Sequence, residues 1–468
     1  MLLHVVVILA YFAAMIGIGL FSRRSAGSAS GFFVADRSCS PLLITGTLVA
    51  TIVGGSATVG LAGLGFSRGL TGSWWLLVGS IGLVVLGLLL GDKVRGSGLY
   101  TLPQLAAKQY SSQAGIAASA VVVIAWMGVI AGQIVASGKI LSVLQMGSPE
   151  LWMVLFTAVF VTYTVIGGQY ADIRTDLAQA LLIALGVFAG LFSALSAVGG
   201  LPGLIASVGP SRFEFPLSSQ FGVSDLVAYL LLIGMTYVVG PDIYSKLFSA
   251  RDGRTARVSA LLAAAIIVPF AFAITLIGIS ASALFPQIPP ERAFPALIGQ
   301  TLPPLLGGLV LAALIAATMS SADGCLLSAS SILTVDVLAR LRPQKTEREQ
   351  VLAARLIAVA LGVASLILAL ALPGVISALL FAYTVYTCGV AIPVLAGFWK
   401  DRLRLTDAGA MASIICGGTT ALIGQVFAVK YLDLGAFFVS LVLLFAVSWL
   451  DRLVVRRPAL KAVEQGER

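Results

Sequence analysis

The sequence predicts an all-α membrane protein of thirteen transmembrane helices. Three observations predict it. Of 468 residues, 59% are hydrophobic and only 10% charged, too little charge to cover a soluble surface of this size. The apolar residues fall in runs of about twenty, the length that crosses a ~30 Å hydrocarbon core. The basic residues then alternate between successive connections, as a chain threaded back and forth through a bilayer requires.

The runs are 2–20, 42–65, 71–91, 115–143, 150–167, 176–198, 224–244, 258–284, 306–335, 352–372, 374–399, 408–428 and 432–451, with the division between the tenth and eleventh at Pro373-Gly374. Connections after odd-numbered runs, with the C-terminal tail, hold 23 of the 29 Lys and Arg, and Arg355 stands at the start of the tenth run beside one of them; those after even-numbered runs hold Arg68, Arg212, Arg292 and Lys430. Lys139 falls inside the fourth run, where its stem can snorkel. The positive-inside rule then puts the N-terminus outside and the tail in the cytoplasm. The first run lacks a basic leader and precedes Arg23 and Arg24, so it reads as a retained span rather than a cleaved signal.

Several function classes drop out. The net charge of +9 is spread over short connections, so it marks topology and not a nucleic-acid surface. Cys39, Cys325, Cys388 and Cys416 stand singly, with no metal or disulfide spacing, and the one histidine, His4, is terminal. An enzyme is not expected, since Asp176 and Asp323 lack any catalytic motif around them.

Two runs are interrupted at matching positions. The second carries Gly54, Gly55 and Ser56 at its middle, and the seventh carries Gly240-Pro241 followed by Asp242. They lie five runs apart and in opposite orientation. Paired broken helices in an inverted repeat expose carbonyls and helix ends near the membrane midplane, which suits solute and cation binding in a transporter. The plainer reading is packing glycines with a proline kink.

In the ninth run Ala317, Ser320 and Ser321 share one helix face at i, i+3, i+4. Two hydroxyls and a carbonyl suit a hard cation, and equally suit helix–helix glue. Asp323 lies near mid-span, where a carboxylate must meet a cavity, a cation or a proton. Asp176 reads as an acid opening the sixth run, Asp172 and Asp336 as interfacial.

The segments GGQYADIRTDLAQ, GPDIYSKLFSARD, AATMSSADGCLLSASS and AYTVYTCGVAIPVLAGFW, in this order between Thr47 and Lys400, resemble the sodium:solute symporter family. That resemblance implies a leucine-transporter-type 5+5 inverted-repeat core. The chain then divides into an extra N-terminal helix and cytoplasmic loop (1–40), a transport core (41–399), two C-terminal helices (400–451) and a cytoplasmic tail (452–468). It implies a sodium-coupled symporter working by alternating access, with Na⁺ and a small polar solute as its ligands and a lipid bilayer around it. By position the sodium ligands would be the carbonyls of Ala50, Val53 and Ala317 and the hydroxyls of Ser320 and Ser321.

Some relatives hold a second sodium with an aspartate that Asp176 matches and with serines that are here Asp323 and Gly324. Asp176 and Asp323 are therefore expected to hold a second cation or a proton, or Asp323 to pair with a polar neighbour. Ile52 replaces the aspartate of proline-transporting relatives, Ile52 and Gly240 replace the tryptophans of the choline branch, and Ala57 replaces the glutamine of sugar transporters. The solute is expected among Gly54, Gly55, Ser56, Trp126, Gln133, Tyr237, Tyr383 and Thr387. Half-helix N-termini suggest that it bears a carboxylate. A proton-coupled symporter using Asp323 is the alternative; a non-transporting sensor fits less well, because only about 17 residues follow the last run.

Overall fold

The computed structural model describes residues 2–342, 346–371, 374–427, 429 and 432–466. The break expected at Pro373-Gly374 lies partly outside them. Apart from two isolated bridges, the described residues form no β structure. The principal helices are α1 (Leu2–Ser22), α2 (Pro41–Ile52), α3 (Ser56–Gly96), α4 (Ser112–Leu141), α5 (Pro149–Ala197), α6 (residues 223–238), α7 (Pro241–Phe248), α8 (Gly253–Leu284), α9 (Pro304–Leu341), α10 (Glu347–Ala371), α11 (Val375–Gly397), α12 (Asp407–Val426) and α13 (Leu432–Gly466). Eleven stretches of continuous helix among the described residues are long and apolar enough to cross a membrane.

Helix starts follow from local chemistry. Ser40, Ser111, Ser148, Asp252 and Thr406 each accept a first-turn N–H at the heads of α2, α4, α5, α8 and α12. Such a cap satisfies a donor that the helix itself leaves unpaired.

Two helices are long enough for two crossings. α5 has 49 residues and would measure about 74 Å if straight. It is divided at Gly168, whose φ of +54° and ψ of −150° are closed to residues with a side chain. A Cβ there would also lie 2.7 Å from the Phe32 ring. α3 turns at Gly69, with φ +70°. The second arm of α5 starts directly after Gly168, not at 176 as the sequence suggests. The charges that look like a loop are absorbed within the helix. Arg174 stacks on Phe21 and Tyr170 and donates to the Ser22 hydroxyl at 3.0 Å, while Asp172 and Asp176 turn inward.

α9 is the central pillar. From Gly307 to Ile332 nearly every side chain is buried, and it packs against α1, α2, α4, α5 and α7. α1, α10 and α13 lie outermost, with exposed Leu, Val and Phe side chains that suit lipid. α12 and α13 pair through small residues, with Ser413 and Ser440 hydroxyls 2.7 Å apart. At the far end of α4, Lys139 ion-pairs with Glu291, whose other carboxylate oxygen accepts the first-turn N–H groups of Val375 (3.1 Å) and Ile376 (3.4 Å) in α11.

Candidate functional site

The α2–α3 break is built for close approach. α2 ends at Ile52, and Val53 caps it with its N–H on the Val49 carbonyl at 2.9 Å. A Cβ on Gly54 would lie 2.1 Å from the Ser321 Oγ; one on Gly55 would lie 2.6 Å from the Ala136 Cβ. Only glycine lets this backbone press against both α9 and α4. Gln133 holds it there, its Oε1 accepting the Gly55 N–H at 2.7 Å. The α6–α7 break falls at Val239 and Gly240, with Pro241 opening α7, where its missing N–H costs nothing. The freed carbonyls are not left open: Tyr244 donates to Val238 O at 3.2 Å and Tyr386 to Val239 O.

Oxygens gather where α9 crosses the end of α2. The Ser320 hydroxyl donates to Ala50 O at 2.6 Å and lies 3.4 Å from Ala317 O. The Ser321 hydroxyl donates to Thr51 O at 2.5 Å. Ala50, Ala317 and Ser320 thus form one oxygen cluster, and Ser321 reaches Thr51, not Val53. Thr51 was invisible to residue-type reasoning because its backbone makes the contact.

Beside this cluster is a narrow cavity of about 30 Å³, room for a water but not for an organic solute until the helices part. Its lining includes Ser56, Trp126, Gln133, Tyr237 and Tyr383, all anticipated, and Thr51, Ile52, Asp242, Ser321 and Cys325, which were not. Gly54, Gly55 and Thr387 do not line it. The glycines shape the wall from behind, and the Thr387 hydroxyl is spent on Leu232 O at 2.8 Å, tying α11 to α6.

Below the cavity is a buried charged cluster. Lys246 of α7 is ion-paired with Asp172 and Asp176 of α5, at 2.9 Å to Asp176, with all three side chains at most 1% exposed. Thr47 of α2 donates to Asp176, Gln169 to Asp172 at 2.9 Å, and Tyr163 to Asp323 of α9. One ligand oxygen from each of Asp172, Asp176 and Asp323 lies within 4.8 Å of the others. Gly324 of α9 borders the ammonium, which a Cβ placed there would meet at an ordinary contact distance of 3.5 Å. Asp172 and Asp176 are therefore core residues and not edge acids, and Asp336 is buried too, accepting from Thr101 at 2.6 Å. Lys246 reads in sequence as one more cytoplasmic topology charge. Its place six residues after Gly240, on the far side of a break, was the available signal.

Residues 32–417 match the model of the sodium:solute symporter family. The chain belongs to that family. Its relatives are transporters and not enzymes. It is 24% identical to sodium/glucose cotransporter 4 of Danio rerio, over 91% of this chain and 72% of that protein. It is 24% identical to the sodium/pantothenate symporter of Escherichia coli K12, over 93% of both. It is 26% identical to the high-affinity proline transporter PutP of Bacillus subtilis, over 87% of this chain and 89% of that one. The fold is similar to that of a Na⁺-coupled sialic acid symporter in a substrate-bound outward-open state, with a TM-score of 0.80 at 17% identity, covering 96% of this chain and 97% of that one. A further structure, MhsT in complex with L-phenylalanine, aligns with a TM-score of 0.55 at 16% identity, over 86% of this chain and 99% of that one. This family member is thus a multi-pass membrane transporter with sodium as its co-transported ion.

Proposed function

We propose that this symporter imports a small polar organic solute together with one sodium ion by alternating access. The observation that carries the reading is the oxygen cluster of Ala50, Ala317 and Ser320 lying one residue from Thr51 and Ser321, which line the solute cavity. A cation there draws α2 onto α9 and fixes the cavity wall, so that ion and solute favour each other's binding. The serine hydroxyls turn their protons from the carbonyls and offer their oxygens to the ion. The Val53 carbonyl, the remaining expected ligand, follows at the end of α2, where the Val53 N–H caps the helix on Val49 O.

The charged cluster supports a single sodium. Lys246 supplies an ammonium where Asp176 and Asp323 were expected to hold a second cation. One ion is sufficient: a potential of ~100 mV contributes ~2.3 kcal/mol per charge, and a ~10-fold gradient adds about 1.4 kcal/mol, together roughly 500-fold accumulation of a neutral solute. The expected carboxylate on the solute finds no support in the cavity, which no lysine or arginine lines. Relatives are named for glucose, pantothenate and proline, so the family leaves the solute open.

The proposed topology is thirteen crossings, with α5 and α3 each contributing beyond their glycine turns, a repeat of spans 2–6 on spans 7–11 within 41–399, the N-terminus outside and the tail inside. Cysteines placed singly at Arg212 and Arg254, in a cysteine-free background, should react with an impermeant reagent from the outside and the inside respectively; the reverse result refutes the orientation.

The sodium site is tested by uptake into proteoliposomes. Ser320→Ala with Ser321→Ala should raise the Na⁺ concentration for half-maximal uptake at least tenfold. An unchanged value makes these hydroxyls helix glue. One observation favours the second reading, proton coupling: three buried carboxylates share one ammonium, and Asp323 bonds only to neutral donors, Tyr163 and the Gly324 N–H. Uptake driven by a pH gradient, and not by a Na⁺ gradient at constant pH, would establish it.

A further inference from the structure

We propose that the solute carries an ammonium group that pairs with Asp242, together with an oxygen acceptor for the Trp126 indole N–H. This rests on the narrow cavity beside the oxygen cluster being the solute site. Asp242 is the one charged residue lining that cavity. It stands in the first turn of α7, directly after the break, where the helix N-terminus favours its negative charge. Among the described residues no ion pair reaches it. The nearest cation in sequence, Lys246 one turn on, is turned away and bonded to Asp172 and Asp176.

The half-helix terminus that in sequence suggests an anionic solute is therefore already taken by the protein's own anion. An incoming carboxylate would meet like charge with no counter-charge lining the cavity. A neutral polyol would leave Asp242 sealed without a partner when the cavity closes, which buried charge resists. An ammonium removes both costs. The rest of the lining suits it. Trp126, Tyr237 and Tyr383 line the same space, and aromatic faces attract cations.

The polar atoms then set a second requirement. The Trp126 Nε1 and the Thr51 hydroxyl are buried without a partner. Both can donate, and both border the cavity. They call for an oxygen on the solute, such as a hydroxyl, carbonyl or the carboxylate of a zwitterion. A bare alkylamine satisfies Asp242 but not these two. An amino alcohol or an amino acid satisfies all three.

The test is a thermal-shift panel on the purified full-length protein, with and without Na⁺. The probes, each at 10 mM, are ethanolamine, choline, L-alanine and L-proline against pyruvate, lactate, glycerol and myo-inositol. Stabilisation confined to members of the first four, and weakened at least tenfold in affinity by Asp242→Asn, is the expected result. Stabilisation by pyruvate, lactate, glycerol or myo-inositol overturns the proposal, and so does the absence of a shift with every ammonium-bearing probe. An Asp242→Asn protein that binds its probe as tightly as the wild type overturns it as well. Fold integrity of the variant is read from its stabilisation by Na⁺ alone; if it does not fold, the wild-type panel decides. Failure of the sodium reading is separable: ammonium probes that bind equally without Na⁺ refute coupling and leave this inference standing, whereas Na⁺-dependent binding of a polyol does the opposite.

Discussion

Lys246→Met probes the buried cluster most directly. The substitution keeps the length of the stem and deletes the ammonium. Asp172 and Asp176, both fully buried, then lose their ion pair, and three carboxylates remain with oxygens within 4.8 Å of one another. Removing one partner of a buried ion pair costs ~3–5 kcal/mol, equivalent to roughly a 150- to 5,000-fold change in the folded-to-unfolded ratio. The assay is reversible unfolding in detergent at fixed pH, in choline-free buffers of rising NaCl. The variant should be destabilised by that amount in low Na⁺ and regain stability as Na⁺ fills the vacated position, a gain set by mass action. Adding Asp176→Asn should recover part of the loss, since the two sites are in contact and their effects are not additive. A loss under about 1 kcal/mol, well below the buried-pair range, would refute the reasoning; so would a double variant as unstable as the two single losses combined.

Other consequences are as direct. Gly54→Ala places a Cβ 2.1 Å from the Ser321 Oγ, so it should abolish uptake or raise the half-saturating Na⁺ concentration at least tenfold, measured in proteoliposomes. Gly168→Ala forces a side chain into a glycine-only conformation against Phe32 and should cost about 1–3 kcal/mol of unfolding free energy. Glu291→Ala releases two first-turn N–H groups of α11 and should cost about 1 kcal/mol, as loss of a helix cap does, whereas Glu291→Gln keeps an acceptor and should cost less.

The helices and their breaks were legible because membrane physics writes them in apolar runs and in glycine and proline. Gly54, Gly55 and Gly240 marked the breaks by residue type alone. The serines of the proposed sodium site were legible as a face, since i, i+3, i+4 spacing fixes a direction. What reached across that face was not legible: Ser321 meets the carbonyl of Thr51, and a carbonyl carries no side-chain signature. The second arm of α5 was misjudged for a definite reason. Asp172, Arg174 and Asp176 look like a solvated loop until Lys246 is brought to them from α7, and a pairing across 70 residues leaves no local trace. Asp242 was noticed as the residue after a break, but its orientation toward the cavity depended on the path of α7. Thr387 shows the converse, a polar residue at a plausible place whose hydroxyl proton is donated to Leu232 O.

α7 is a rod of eight residues, about 12 Å long, and a helix so short swings without bending. Were it to pivot at Gly240, Asp242 would lie about 3 Å from the pivot and Lys246 about 9 Å from it, at 1.5 Å per residue. Such a pivot would make it a lever with a ratio near three. A displacement of 1 Å where the cavity closes becomes about 3 Å at Lys246, enough to part an ammonium from a carboxylate. Small adjustments around the proposed solute would then be magnified into the making or breaking of the Lys246 contact that joins α7 to α5.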